Sequence, residues 1–489
     1  MDAAIDSDTL SGMLAARAAA RPDAPALHFE GQVLRCADLD RGACALAARL
    51  WHEWGVRPGD RVAWLGLNHP GQVLLLFALA RIGAMLLPLN VRLAPAEWET
   101  LLAECTPLHL VHDDAFASAA QALACRSGLR VHDLASLRHA EAGEVPDHAA
   151  PGAPVLLVFT SGTTSRPKAA VHTQANLLAN MRIAATTQRM TPDDVVLTVL
   201  PLFHVGGLCI QTLPALYAGA QVVLLPRFTP EATFEAIGRH RPTLTLQVPA
   251  TMKALAEHPR WAVADLACLR AVWAGSSLLP APLVQAFHAR GLPVCNVYGS
   301  TETGPFSIAL PPEHAFDHVG SCGWPPAGVE VRLADVQRGT GELWVRAANV
   351  VQRYWPDLPA RDADGWFRTG DLAKQAVDGS YAIVGRSRDL IISGGENIHP
   401  AEIEGPLAEH PAVLECAAFG VPDPQWGEAV AVALVLRPGA QASDEELRAH
   451  LAARVARYKL PRHCVRLEAL PKTALGKVRR QALAALLDP

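Results

Sequence analysis

Phe159-Thr160-Ser161-Gly162-Thr163-Thr164-Ser165-Arg166-Pro167-Lys168 follows the apolar run Val155-Leu156-Leu157-Val158-Phe159. The apolar run predicts a buried strand, and the hydroxyl-rich stretch predicts a loop at its end that delivers one lysine. Main-chain N–H groups, threonine hydroxyls and an ammonium gathered at a strand end suit a polyphosphate. A P-loop is excluded, because no Gly-Lys pair is followed by Ser or Thr. A Ser/Thr-rich turn taken alone is most often just a turn, so the reading depends on the segments downstream of it.

Four further segments come in order. Tyr298-Gly299-Ser300-Thr301-Glu302-Thr303 comes after the short apolar run 292–297, again where a strand gives way to a loop. Its aromatic face, glycine, hydroxyl and carboxylate suit an adenine, a phosphate and a magnesium ion. Trp366-Phe367-Arg368-Thr369-Gly370-Asp371 ends on an acidic residue of the kind that holds ribose hydroxyls. The segment 385–398 places Arg386 and Arg388 before an apolar strand and the turn Gly394-Gly395. Pro471-Lys472-Thr473-Ala474-Leu475-Gly476-Lys477 sets a lysine on a glycine turn. Any one of these passes for a surface turn; five in fixed order do not.

The set resembles the adenylate-forming superfamily of acyl-CoA ligases, peptide-synthetase adenylation domains and luciferases, over essentially the whole chain. The resemblance implies an α/β fold: a large N-terminal domain of parallel-rich sheets covered by helices, a β-rich subdomain, and a small mobile α+β C-terminal domain. The expected division is 1–387, binding ATP and carboxylate, and 388–489, a lid hinged at Arg388. That hinge is usually Asp or Lys in the family, so Arg388 is a departure. The chemistry implied is attack of a carboxylate on the α-phosphate of ATP, then displacement of AMP by a thiol. By resemblance Thr160, Ser161, Gly162, Thr163, Thr164 and Lys168 hold the terminal phosphates, and Glu302 binds Mg2+. Thr301 donates to the α-phosphate, Tyr298 stacks on adenine, and Asp371 and Arg386 hold the ribose. Lys477 bridges the carboxylate and the α-phosphate. Ser165 and Ala169 stand where the family prefers glycine, which predicts a stiffer phosphate loop.

Leu200-Pro201-Leu202-Phe203-His204-Val205-Gly206-Gly207 resembles the border of the acyl pocket in benzoate, coumarate and fatty-acyl CoA ligases. Amino-acid-activating domains usually place Asp there, and no carrier domain is expected after Lys477; both points argue against a peptide-synthetase module. The small residues Gly275, Ser276 and Gly299 are expected to leave room in the pocket floor. An aromatic or arylpropenoic acid is the expected substrate, with a medium-chain fatty acid as the alternative. A luciferase-like oxygenase and a non-catalytic AMP-binding relative stay open. CoA is the expected acceptor, with Gly394, Gly395, Lys459 and Arg462 near it.

Bulk properties agree. The 489 residues are too many for one compact core. Half are hydrophobic and the net charge is only −5 with no basic stripe, so nucleic acid is not an expected partner. Ten scattered cysteines, none in a CxxC pair, predict free thiols in a reducing compartment. The charge-free run 195–226 is long enough to span a bilayer, but Pro201, His204, Gly206, Gly207, Pro214 and Gly219 break it into strand, helix and strand. The N-terminus has no signal pattern, which predicts a cytoplasmic protein; a homodimer is left open.

Overall fold

A computed structural model describes residues 7–137, 145–160, 167–275, 279–337, 339–393, 396–452, 454–473 and 476–487. Two eight-stranded sheets dominate it. One runs Ile308–Ala309, Val294–Tyr298, Ala271–Gly275, Leu244–Gln247, Val195–Thr198, Gln221–Leu224, Pro25–Phe29, Gln32–Arg35, parallel except at its two ends. The other runs Leu358–Pro359, Arg353–Tyr354, Lys168–Thr173, Pro154–Thr160, Met85–Pro88, Arg61–Leu65, His109–His112, Arg130–Asp133. Its last five strands are mutually parallel. Near-continuous apolar strands such as Ala271–Gly275, buried throughout, are what a sheet covered on both faces requires.

The helix Pro70–Ile82 lies between these sheets and is buried along most of its length. Proline fits its first turn, His69 Nδ1 accepts the Gly71 N–H at 2.9 Å, and Gly83 ends it at φ +80°. Phe77 on this helix, Trp64 on the second sheet and Trp273 on the first share one apolar core and are essentially inaccessible. Each such burial is worth about 1.5–3 kcal/mol.

A four-stranded antiparallel sheet (Val329–Gln337, Thr340–Ala347, Phe367–Gln375, Tyr381–Arg386) supplies the expected β-rich subdomain. Residues from Ile391 onward form a separate α+β unit around Val413–Asp423 and Gly427–Leu436. The helix Asp444–Ala452 opens with a capping box: Glu446 N–H donates to Ser443 Oγ at 3.1 Å and Ser443 N–H to Glu446 Oε2 at 2.7 Å.

The charge-free run folds into buried α/β core, and among the described residues no helix is long and apolar enough to cross a membrane. Its expected single helix is instead Val205–Gly207, a π-helical turn Leu208–Thr212, and Leu213–Ala218. Pro214 has no N–H for the Ile210 carbonyl, and Leu213 N–H reaches back to Leu208. The carbonyls of Cys209 and Ile210, so released, accept from Asn180 Nδ2 and Gln188 Nε2, each at 2.7 Å.

His172, on the strand Lys168–Thr173, is wholly buried, and neither ring nitrogen has a hydrogen-bond partner among the described residues. Burial lowers its pKa from about 6.5 to about 4. The unfolded chain therefore takes up this proton first. The stability due to the neutral ring is complete above about pH 6.5 and is lost as pH falls towards 4. His172→Leu should narrow the stability gap between pH 8 and pH 5 by about 2 kcal/mol in urea unfolding. An unchanged gap would mean the ring is not neutral and buried in solution.

Candidate active site

The phosphate-loop segment is the tip of a hairpin: Pro154–Thr160 pairs antiparallel with Lys168–Thr173, Thr160 opposite Lys168. The connection is too short for a parallel crossover. Thr160 Oγ1 donates to the Lys168 carbonyl at 3.2 Å. Ser161, Gly162, Thr163, Thr164 and Ser165 lie outside the described residues. Ala169, where glycine was expected, sits in regular strand opposite Phe159 and has no positive φ, so no glycine is needed there. The stiffening foreseen at this position does not arise.

Lys168 Nζ lies 5.3 Å from the ring centroid of Tyr354, and Tyr354 Oη donates to Glu302 Oε1 at 2.9 Å. Glu302 belongs to the short 3-10 turn Thr301–Thr303, in which Thr301 is buried. Its carbonyl accepts the Val351 N–H at 2.8 Å, tying the turn to the segment that carries Tyr354. Glu302 Oε2 has no hydrogen bond among the described residues, so one carboxylate oxygen is oriented and the other is available. No group of three or more His, Cys, Asp or Glu able to hold a metal ion exists among the described residues. A lone oriented carboxylate fits Mg2+ that shares its ligands with substrate phosphates and water.

A second cluster stands beside the first. Tyr298 Oη donates to Asp371 Oδ2 at 2.7 Å, and Arg386 Nε lies 2.8 Å from Asp371 Oδ1. Asp371 and Arg386 are register partners on adjacent strands, which fixes this ion pair in the backbone. Burial and the Asp371 carboxylate push the Tyr298 phenol up, keeping it a donor. Tyr298, expected only as a stacking face, thus also holds the Asp371 carboxylate.

The glycines of the expected pocket floor have another reason to be small. A Cβ on Gly299 would stand 1.8 Å from the Pro305 carbonyl oxygen, and one on Gly275 2.4 Å from that of Val297. Their missing side chains admit neighbouring backbone. Ser276 lies outside the described residues. His204 Nδ1 accepts the Gly206 N–H at 3.0 Å, which puts the proton of the neutral ring on Nε2. Burial, reinforced by Lys477 and Arg92, lowers its pKa to about 4, so the ring is uncharged near neutrality.

Lys477 reaches this site from the C-terminal unit. Gly476, at φ +80°, closes a turn in which Thr473 N–H donates to the Lys477 carbonyl at 2.7 Å and Lys477 N–H to Thr473 Oγ1 at 3.2 Å. Burial, then Arg386, lowers the Lys477 pKa, while Asp371 and Glu302 raise it and Arg388 lowers it further. The ammonium therefore stands in the field of both clusters. Arg388 lies on the 3-10 turn Ser387–Asp389, its Nε 3.6 Å from Asp389 Oδ1, and Asp389 also meets Arg480 at 3.2 Å. Lys459 is engaged with Glu402 at 2.9 Å, and Arg462 lies over the Trp426 ring at 5.0 Å. Gly394 and Gly395 lie outside the described residues.

Lys168, Lys477 and Arg386 against Glu302 and Asp371 make a site that can take a polyanion and one divalent cation. Tyr354 is the member that sequence reading missed. It sits in a two-residue strand, too short for any periodicity, and only its long-range pairing with Ala170 brings it here.

The family model described as AMP-binding enzyme matches residues 14–355, and that of the AMP-binding enzyme C-terminal domain matches 402–477. The chain is 41% identical to an indoleacetate–CoA ligase of Aromatoleum aromaticum, covering 98% of each. It is 40% identical to a feruloyl-CoA synthase of an Amycolatopsis species, covering 94% of this chain and 96% of that one. Among solved structures, o-succinylbenzoate CoA synthetase from Bacillus subtilis, in complex with its acyl-adenylate intermediate, superposes with a TM-score of 0.89 at 31% identity. That match covers 96% of this chain and 97% of that one.

Proposed function

Since the chain belongs to the AMP-binding enzyme family, we propose that it is a carboxylate–CoA ligase that forms an acyl-adenylate from ATP and an aromatic or arylpropenoic acid, then an acyl-CoA thioester. The observation that carries this reading is Lys477, brought from the C-terminal unit into the field of Arg386, Asp371 and Glu302. The acids named for the two relatives favour an aromatic substrate.

In the first half-reaction the carboxylate oxygen attacks the α-phosphorus of ATP and pyrophosphate leaves. An anion must approach a polyanion, so catalysis is mostly positioning and charge neutralisation. Lys168 faces the terminal phosphates, with Thr160 and, by family likeness, Ser161, Gly162, Thr163 and Thr164. Mg2+ bound at Glu302 would offset phosphate charge. Thr301 donates to the α-phosphate, Asp371 holds the ribose with Arg386 beside it, and Tyr298 orients Asp371 and faces adenine. Lys477 spans carboxylate and α-phosphate, and His204 Nε2–H faces the acyl group at the pocket border. In the second half-reaction the CoA sulfur attacks the acyl carbon and AMP leaves. The unit 388–489 turns at Arg388, withdrawing Lys477 and carrying Lys459 and Arg462, with their partners Glu402 and Trp426, towards the CoA phosphates. A cytoplasmic location belongs to the same reading, and mass in solution decides whether the chain is a homodimer.

The test is CoA-dependent AMP release with ATP and Mg2+ over benzoates, cinnamates, arylacetates and straight-chain acids of graded length. Turnover confined to the aromatic acids is expected. Preference for medium-chain acids would replace the substrate class, and ATP binding without AMP release from any acid would point to a non-catalytic relative.

A further inference from the structure

Tyr354 joins the two halves of the phosphate site through both its backbone and its side chain. Its strand, Arg353–Tyr354, pairs with Lys168–Thr173 at Ala170, and the next residue, Trp355, donates its N–H to the Ala169 carbonyl at 2.8 Å. On the other side the same segment grips the turn that bears Glu302. Asn349 Nδ2 donates to the Thr303 carbonyl at 2.8 Å and to the Phe306 carbonyl at 3.2 Å, and Val351 N–H donates to the Glu302 carbonyl. Asn176 Nδ2 holds the segment in turn, through the Ala348 carbonyl at 2.7 Å and the Val350 carbonyl at 3.2 Å. The ring thus has a fixed place between the hairpin and the carboxylate.

From this geometry we infer that Tyr354 is a positioning residue for the metal-bound nucleotide: its hydroxyl fixes the rotamer of Glu302 and its ring face fixes Lys168. The inference rests on the reading of Glu302 as the Mg2+ ligand. A glutamate with both oxygens free samples several rotamers, and Mg2+ tolerates little departure from octahedral geometry. Donation from Tyr354 to Oε1 removes that freedom and leaves Oε2 as the oxygen offered. A carboxylate oxygen has no hydrogen to give, so Tyr354 is the donor in this bond and Glu302 Oε1 the acceptor. Lys168 over the ring gains the attraction of an ammonium for an aromatic face without forming an ion pair with Glu302. The two opposite charges are thereby kept apart, one for the metal and one for the phosphates. A direct Lys168–Glu302 salt bridge would neutralise both.

Two variants separate the roles, with binding of ATP to the full-length protein read by titration calorimetry, once with excess Mg2+ and once with EDTA. Tyr354→Phe keeps the ring and loses the hydroxyl. It should bind ATP like wild type in EDTA and lose about tenfold in affinity when Mg2+ is present. Tyr354→Leu also loses the ring, and should weaken ATP in EDTA as well. An unchanged Mg2+ enhancement in Tyr354→Phe overturns the inference, as does an equal loss in both media, which would make the residue merely structural. Wild type that binds ATP equally well in both media would overturn the Glu302 assignment and the inference with it. Neither readout needs the carboxylic acid, so silence across the acid panel leaves this test intact.

Discussion

Lys477→Ala is expected to cut adenylation, read as acid-dependent ATP–pyrophosphate exchange, by about a hundredfold to a thousandfold. Thioester formation from a supplied acyl-adenylate and CoA should stay within a few-fold of wild type. The reason is the position of the ammonium, which stands with Arg386, Asp371, Glu302 and Arg388 in the orientation that brings the two units together. Burial and two neighbouring cations disfavour its charge before substrate arrives, and the incoming carboxylate and α-phosphate are the anions that reverse this. Removing the side chain takes away that compensation only in the half-reaction in which both anions are present. It leaves no buried carboxylate unpartnered, because Asp371 keeps Tyr298 and Arg386 and Glu302 keeps Tyr354. Unfolding stability should therefore be unchanged or slightly raised. Equal loss in both half-reactions would sink a lid that changes role at Arg388.

Asp371→Asn should cost both nucleotide affinity and stability. The carboxylate is almost fully buried, at 6% exposure, and takes the Tyr298 hydroxyl and the Arg386 guanidinium on separate oxygens. The amide can serve the hydroxyl but leaves Arg386 beside a neutral group. The expected loss is about 2 kcal/mol in denaturant unfolding, because Arg386 is partly exposed and regains water. ATP affinity by calorimetry should fall by about tenfold or more through the lost ribose contact. A stability loss with unchanged affinity would make Asp371 a structural link between strands and remove it from the nucleotide site.

The motifs lay open in the sequence because each is a local device. A hydroxyl-rich stretch after the apolar strand 155–159 and the glycine before Lys477 are both set by neighbours in the chain. The reason for a glycine was less legible. At Gly275 and Gly299 the Val297 and Pro305 carbonyls leave no space for a Cβ, and a carbonyl packed from elsewhere leaves no mark in the local sequence. The same holds for the helix expected after His204, where Pro214 was visible but the Asn180 and Gln188 side chains that cap the freed carbonyls were not.

The sequence alone determined the α/β class and the family resemblance, because strand apolarity, turn chemistry and motif order are written in consecutive residues. Only the tertiary structure decided that Tyr298 grips Asp371, that Lys459 is held by Glu402, and that Tyr354 stands between Lys168 and Glu302. Those contacts join residues tens to hundreds of positions apart. They arise from sheet register and the packing of one unit on another, which no window of sequence contains.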